Sequence, residues 1–209
     1  MQFSEILQLN KGVHEPAEER MFAEVLKYIP DGGTIIELGS YWAFYSMWFY
    51  KEVANARVYC IEPNENSINL GIHNCKINHV NANFTKGAIG NGKSNINIKN
   101  FLKEKDIEFT DILHSDIQGS ELIMLENVAT LLDDRKIRYL FISTHSQELH
   151  YSCLELLQRH DYRIIANADV ENETFCFDGI IVSCHKDNLD IPQTSLGNRR
   201  HTPLKLCGY

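Results

Sequence analysis

Glu37 and Glu62 each close a short apolar run. The first run is Thr34–Ser40, reading TIIELGS; the second is Val58–Asn64, reading VYCIEPN. Two neighbouring parallel strands of this kind bring their carboxyl ends side by side, and ligands bind in the crevice just beyond those ends. Gly39 lets the backbone approach a ligand there, and Glu62 can accept both hydrogen bonds of a ribose diol. Glu62 follows Gly39 by 23 positions, close to the ~20 of a nucleoside site. Further along, Asp116 and His145 stand at the ends of the strands expected at 109–115 and 139–143. They are expected over the same crevice. Histidine titrates near the working pH and is a natural general base, with Asp116 orienting it or holding an acceptor. The set predicts a bound nucleoside beside an acid–base pair.

The residues around Gly39 narrow the nucleoside. A dinucleotide loop needs G-x-G-x-x-G so that pyrophosphate can sit on a helix N-terminus. Here the run is Gly39-Ser40-Tyr41-Trp42-Ala43-Phe44, with bulky side chains at the second and third glycine positions. No GxxxxGK[ST] phosphate loop is present either. A nucleoside without phosphates fits better, and S-adenosylmethionine is the common one.

The elements that must position these residues alternate. Residues 16–29 open with proline and acids, as a helix N-terminus should, and Met21, Phe22, Val25, Leu26 and Ile29 share a face. Strands are expected at 34–38, 57–61, 83–86, 109–115 and 139–143. Helices are expected at 41–50, 67–78 (anchored by Leu70, Ile72 and Ile77), 118–132 (with Ile123, Leu125 and Val128 inward) and 148–159. Residues 96–105 read as an edge strand leading into a short helix. Residues 162–168 and 175–183 read as closing strands whose short connection allows only an antiparallel hairpin. Strand–helix alternation predicts an α/β, doubly wound, Rossmann-like fold. Its seven-stranded sheet should be mostly parallel, with one antiparallel strand near the C-terminus. Residues 1–30 form a helical segment that packs on the core or covers the site, 31–186 the main domain, and 187–209 a tail.

Composition bounds the partners. The chain has 209 residues and a formal net charge of −8. That balance argues against a nucleic-acid partner, which needs a basic footprint; the basic stretch Arg199, Arg200, His201 and Lys205 reads as a solvated tail. Six cysteines without CxxC spacing read as free thiols of a reducing compartment. No signal pattern or long apolar run is present, so the expected location is the cytoplasm, with no membrane partner. A small-molecule acceptor is expected, and a homo-oligomer is open.

ELGS with an aromatic-rich helix, then IEPN, the loop AIGNG and DILHSDIQGSELIMLENV together resemble the FkbM-type methyltransferases over residues 33–145. These belong to the class I S-adenosylmethionine-dependent enzymes, which release S-adenosylhomocysteine. The resemblance implies methylation of hydroxyl groups on sugars or small metabolites. It implies that Glu37, Gly39, Ser40 and Tyr41 lie along the methionine part of the cofactor. Glu62 matches the ribose acid, with Pro63 and Asn64 beside the adenine, and Ala88 and Ile89 flank its other side. Asp116 and Gln118 fall in the block after the fourth strand, Glu121 is its last acid, and His145 faces the transferred methyl group. Tyr41 and Ala43 replace the family's asparagine and second glycine, His114 replaces lysine, and Gln118 stands where glutamate is common.

Plainer roles stand beside these. Asp116 could cap the following helix, Glu121 could serve the helix dipole, and His114 could be a buried, hydrogen-bonded histidine. Magnesium would need oxygen ligands; Asp116, His145 and Glu148 are the residues available, and no metal is predicted. N-methylation of a small amine, or a cofactor-binding module without catalysis, are the alternatives to O-methylation. The lost glycines disfavour a nicotinamide dehydrogenase.

Overall fold

The structure is a computed structural model and describes residues 12–92, 94–171 and 178–196. The basic stretch at 199–205, Cys176 and Cys207 lie outside the described residues.

The elements run α1 (Pro16–Leu26), β1 (Thr34–Leu38), α2 (Phe44–Glu52), β2 (Arg57–Glu62), α3 (Glu65–Ile77), β3 (Asn83–Lys86), α4 (Ile98–Glu104), β4 (Thr110–Ser115), α5 (Glu121–Asp133), β5 (Ile137–Thr144), α6 (Gln147–Arg159), β6 (Tyr162–Ala168) and β7 (Gly179–His185). The strands form one sheet in the order β3-β2-β1-β4-β5-β7-β6. The first five pair in parallel. β7 runs antiparallel to both β5 and β6. This is the expected α/β architecture with its one reversed strand. The chain winds outward through β1, β2 and β3, then returns to start again at β4. The switch point therefore lies between β1 and β4, where a ligand crevice opens in such sheets.

Side chains alternate across the sheet and build two cores. On one face Ile35, Val58, Ile112 and Phe141 meet Met21, Phe22 and Val25 of α1 and Phe49 of α2. On the other, Ile36, Ile61, Leu113 and Leu140 meet Phe101 of α4, Met124, Leu125 and Val128 of α5, and Leu157 of α6. β1 and β4 are buried along their whole length. β1 is accordingly mostly apolar, whereas β4 buries Thr110, Asp111, His114 and Ser115, with Asp111 accepting from the Thr34 amide and His114 paired with Glu18.

Three local expectations change. The second helix starts at Phe44, not Tyr41, because Tyr41 and Ala43 take left-handed backbone, with φ of 41° and 64°. The 96–105 stretch contributes only an isolated bridge, Ile89 to Ile96, before α4, whose N-terminus Asn97 caps. In α3, Leu70, Ile72 and Ile77 are exposed, and Ile68, Gly71 and Cys75 face inward. A Cβ on Gly71 would lie 2.8 Å from the Phe84 ring, so the helix sits too close to β3 for a larger residue there. Ile123 of α5 is likewise exposed, with Met124 taking the inward position beside Leu125 and Val128.

Candidate functional site

Gly39 is where β1 and β4 come closest. Its φ is +71°, and a Cβ would stand 1.7 Å from the Asp116 carbonyl oxygen. The Asp116 amide donates to the Leu38 carbonyl, and the Gly39 and Ser40 amides both donate to Ile61. Three strand ends are thus tied together, leaving a cavity of about 420 Å³ above them, within the usual range for a small-molecule site. From the sequence-predicted set it is lined by Gly39, Tyr41, Glu62, Pro63, Asn64, Ala88, Ile89, Asp116 and Gln118. Ile61, Ser67, Gly87, Ile117 and Ser120 complete it. Those five carry no motif signal beyond flanking the predicted residues.

Glu62 is held by two backbone donors. Its Oε2 accepts from the Tyr41 amide at 3.1 Å and its Oε1 from the Asn64 amide at 2.8 Å. Each carboxylate oxygen has two lone pairs, so one on each remains for a ligand diol. Asn64 has a different task from the one expected. Its side-chain oxygen accepts from the Asn66 and Ser67 amides and caps α3, so that oxygen is committed, although the residue still lines the cavity.

Glu37 and Ser40 do not line the cavity. Glu37 is buried, and its Oε2 accepts from the Ser46 amide at 3.0 Å. It therefore satisfies the start of α2, whose N-cap Ala43 has no side-chain acceptor. Burial pushes its carboxyl above the usual range, opposed by His114 and the Ser46 hydrogen bonds. Its sequence signal was a structural acid next to a ligand loop.

The second half of the site lies beyond β4, β5 and β7. Asp116 and His145 are brought together as predicted, with Nε2 of His145 3.1 Å from Oδ1 of Asp116. Two more carboxylates join them. Glu121 Oε1 is 3.2 Å from His145 Nδ1, and Asp178 Oδ1 is 3.6 Å from Nε2. Both ring nitrogens face carboxylates, and only the imidazolium has two N–H donors. Neither N–H is well aligned with its acceptor, so these are close ion pairs more than linear hydrogen bonds. Burial alone would lower the His145 pKa; the Asp116 and Glu121 carboxylates, with Asp178, outweigh it and raise it to about 10. A general base needs a neutral ring, whereas this carboxylate setting favours the imidazolium. Burial likewise works against the Asp116 anion, but His145 and the Gln118 amide, which donates at 2.9 Å, hold that carboxyl below its ordinary value.

Glu121 anchors the pair from below. It is fully buried and accepts from the Ile117 and Gly119 amides at 3.0 Å. Gln118 and Gly119 take left-handed backbone, with φ of 54° and 102°, which turns these amides back onto Glu121. Asp178 was missed by sequence reasoning. It precedes β7, and β7 begins where β5 ends, with Gly179 opposite Thr144. Only the antiparallel pairing brings it there.

Asp116, Glu121 and His145 also bring ligand-type atoms within 4.8 Å of one another, the one such group among the described residues. Each imidazole nitrogen faces a carboxylate in this group. Glu148, the third residue weighed for a magnesium set, is exposed on α6 and outside the group.

His114 and the N-terminal helix close the far side. Nε2 of His114 lies 2.7 Å from Oε1 of Glu18, whose Oε2 accepts from the Ser143 hydroxyl at 3.1 Å. His114 is thus the buried, hydrogen-bonded histidine of the plainer reading, and burial lowers its pKa despite Glu37 and Glu15 nearby. Glu18 did carry a signal. It falls on the same face of α1 as Met21, Phe22 and Val25, where an acid has no place unless it is paired.

No protein-family model matches this sequence, and no curated protein does. Solved structures are similar in fold. The precorrin-6y C5,15-methyltransferase of Geobacter metallireducens is 14% identical, with 80% of this chain and 87% of that one covered at a TM-score of 0.57. TrmK of M. capricolum, solved with S-adenosylhomocysteine, is 16% identical over 89% and 73% of the two chains at a TM-score of 0.54. The fibrillarin pre-rRNA processing protein of Methanococcus jannaschii is 15% identical over 77% and 69% at a TM-score of 0.55.

Two expectations are corrected by these likenesses. The neighbours belong to the broad class I superfamily, not to the FkbM group, so the short blocks IEPN and SDIQGSE mark features of the shared fold and not that family. A neighbour named for pre-rRNA processing shows that this fold serves RNA, so the acidic net charge does not exclude a nucleic-acid partner. Charge summed over a whole chain says little about one face of it. Among the described residues, no helix is long and apolar enough to cross a membrane. The chain has the Rossmann-like fold of the class I methyltransferases.

Proposed function

We propose that this protein is an S-adenosylmethionine-dependent methyltransferase acting on a hydroxyl group of a small molecule. The observation that carries the reading is Glu62, held by two backbone amides with a lone pair free on each oxygen, at the edge of a nucleoside-sized cavity that ends at Asp116. The left-handed turns at Tyr41 and Ala43 have not closed that cavity, although they replace the usual glycine-rich loop.

Bound there, S-adenosylmethionine would supply the sulfonium methyl group. Glu62 would accept the ribose diol, while Pro63, Ala88 and Ile89 would enclose the base. The tight pairing of Gly39 with Asp116 brings the cofactor and acceptor halves to one point, and alignment supplies most of the rate in such a displacement. Asp116 would accept the hydrogen of the acceptor hydroxyl at its remaining lone pairs. His145 would act as a positioning residue, keeping Asp116 ionised and fixed while Glu121 holds the ring from its other nitrogen.

A second reading has its own observation. Asp116 and Asp178 both approach His145 Nε2, and the second carboxylate beside Asp116 favours an acceptor bearing positive charge, so N-methylation of a small amine is the alternative.

The test is calorimetric titration with S-adenosylhomocysteine, with a Glu62→Ala variant beside it. Micromolar binding that weakens about 100-fold in the variant, the size of two lost charge-assisted hydrogen bonds, supports the reading. No binding by folded wild-type protein overturns it. Turnover assays with small alcohols, small amines and transfer RNA then identify the acceptor.

A further inference from the structure

The first turn of α1 brings a group of acids against the strand ends. Glu18 is 3% exposed and bonded to His114 of β4 and Ser143 of β5. Glu15, one turn earlier, accepts from the Tyr45 hydroxyl of α2 at 3.1 Å and hydrogen-bonds to Glu18. Two carboxyl groups can share a hydrogen bond only if one of them is protonated. Their remaining charged surroundings add to this demand. Asp116 beyond β4 and Asp178 before β7 face them as further acids, with Glu37 of β1 behind His114. Half-buried His14 places its Nδ1 3.7 Å from Glu15 Oε2, and Glu19 accepts from the backbone amides of His14 and Glu15. The crevice between Glu15, Glu18, Ser143 and Asp178 measures only about 10 Å³, no more than one water. The turn is therefore shut against the sheet.

The turn and the rest of its helix are held differently. Met21, Phe22 and Val25 lie in the main core. The first turn adds only the small, half-buried Ala17 to that core. Its N-cap Glu15 makes no side-chain cap, and the turn is seated by polar contacts of buried Glu18 and half-buried Glu15. Gly12, just before it, takes φ of +96° with open space around it.

We propose that the turn from His14 to Glu18 is a proton-operated lid over the methyl-acceptor position, shut while Glu15 and Glu18 share a proton and released when both ionise opposite Asp116 and Asp178. The lid's placement over an acceptor rests on the methyltransferase reading above. Release sends the shared proton to solvent and frees Ser143, His114 and Asp178 to face an incoming acceptor.

Burial first, then Asp116, raises the Glu18 carboxyl to about 8, with the hydrogen bonds from Glu15 and then Ser143 opposing; burial and Glu18 itself push Glu15 well above its usual range. The shut state thus keeps a proton that the released state loses. From the ordinary carboxyl range up to about 8, release becomes up to about tenfold more favourable per pH unit for each proton lost, and the effect levels off above.

Hydrogen exchange of the full chain, read by mass spectrometry at pH 5.5 and pH 8 and corrected for intrinsic rates, tests this directly. The expected result is an opening equilibrium for residues 14–20 that rises roughly 100-fold between the two pH values, while α5 stays unchanged. Glu18→Gln, neutral at both pH values and of the same shape, should remove most of that rise; Glu15→Gln serves as the second variant if the first does not fold. Equal protection of the wild-type turn at both pH values overturns the proposal, as does a full pH response in a folded Glu18→Gln protein. S-adenosylhomocysteine titration of the same samples separates the two readings. Failure to bind removes the methyltransferase reading and the lid's role with it, whereas binding beside a pH-independent turn removes the lid alone.

Discussion

The two halves of the site are built in opposite ways. On the side of β1 to β3, an open cavity is framed by groups close in sequence. Glu62 is fixed by the Tyr41 and Asn64 amides, Asn64 caps the next helix, and Gly39 sits between them. On the side of β4, β5 and β7, the space is closed and filled with charge. His145 stands among Asp116, Glu121 and Asp178, and Glu18 reaches in from a helix 96 residues before its partner His114. The first half is held by backbone donors and would change little with pH. The second is held by protons, and pH should act on it first.

The sharpest way to break the contrast is at the point where the halves touch. Gly39→Ala would drive a Cβ into the Asp116 carbonyl and force a left-handed backbone on a residue with a side chain. We expect a loss of roughly 3 kcal/mol or more, and loss of S-adenosylhomocysteine binding; thermal unfolding and calorimetry check both.

Next in size is His145→Gln. It leaves Asp116, Glu121 and Asp178 facing one another without their cation, at a cost of roughly 3 kcal/mol at pH 7. The sign with pH follows from the raised pKa. The folded imidazole holds its proton up to about 10, while in the unfolded chain it loses it near 6.5. Its contribution is complete below about 6.5 and disappears as pH rises through about 10. Denaturant midpoints of wild type and variant should therefore converge at high pH, and parallel curves would mean that His145 is neutral in the fold.

Tyr41→Gly probes the open half. Tyr41 is 46% exposed in left-handed backbone, so removing the side chain should stabilise the fold by about 1 kcal/mol. A lower unfolding temperature would show that the ring is an anchor of the cavity wall. The smallest effect belongs to Ile72→Gln on the exposed face of α3, expected within about 0.5 kcal/mol by the same unfolding measurement.

Particular residues show what was legible and why. The strand pattern was, because a strand buried on both faces is mostly apolar, as β1 and β5 are; β4 departs from it, burying Thr110, Asp111, His114 and Ser115. The edge and surface elements were less so. In α3 the inward positions are Ile68, Gly71 and Cys75, the last two small residues beside β3, and Leu70, Ile72 and Ile77 point outward. Close approach at Gly71, where a Cβ would meet Phe84, decided that face against the larger residues. The cavity wall was read well at Gly39, Glu62 and Ala88, and over-read at Glu37, because an acid in the first loop can serve a helix N-terminus as readily as a ligand.

The chain's order of strands and helices and the reversed strand were determined by the sequence itself, since periodicity and turn chemistry are local properties; the crevice between β1 and β4 follows from the sheet order. The protonation of His145 and the burial of Glu18 were decided only by the tertiary structure. A side chain's charge state depends on neighbours contributed by α1, β4, α5 and the start of β7. Those neighbours meet only when the sheet has closed.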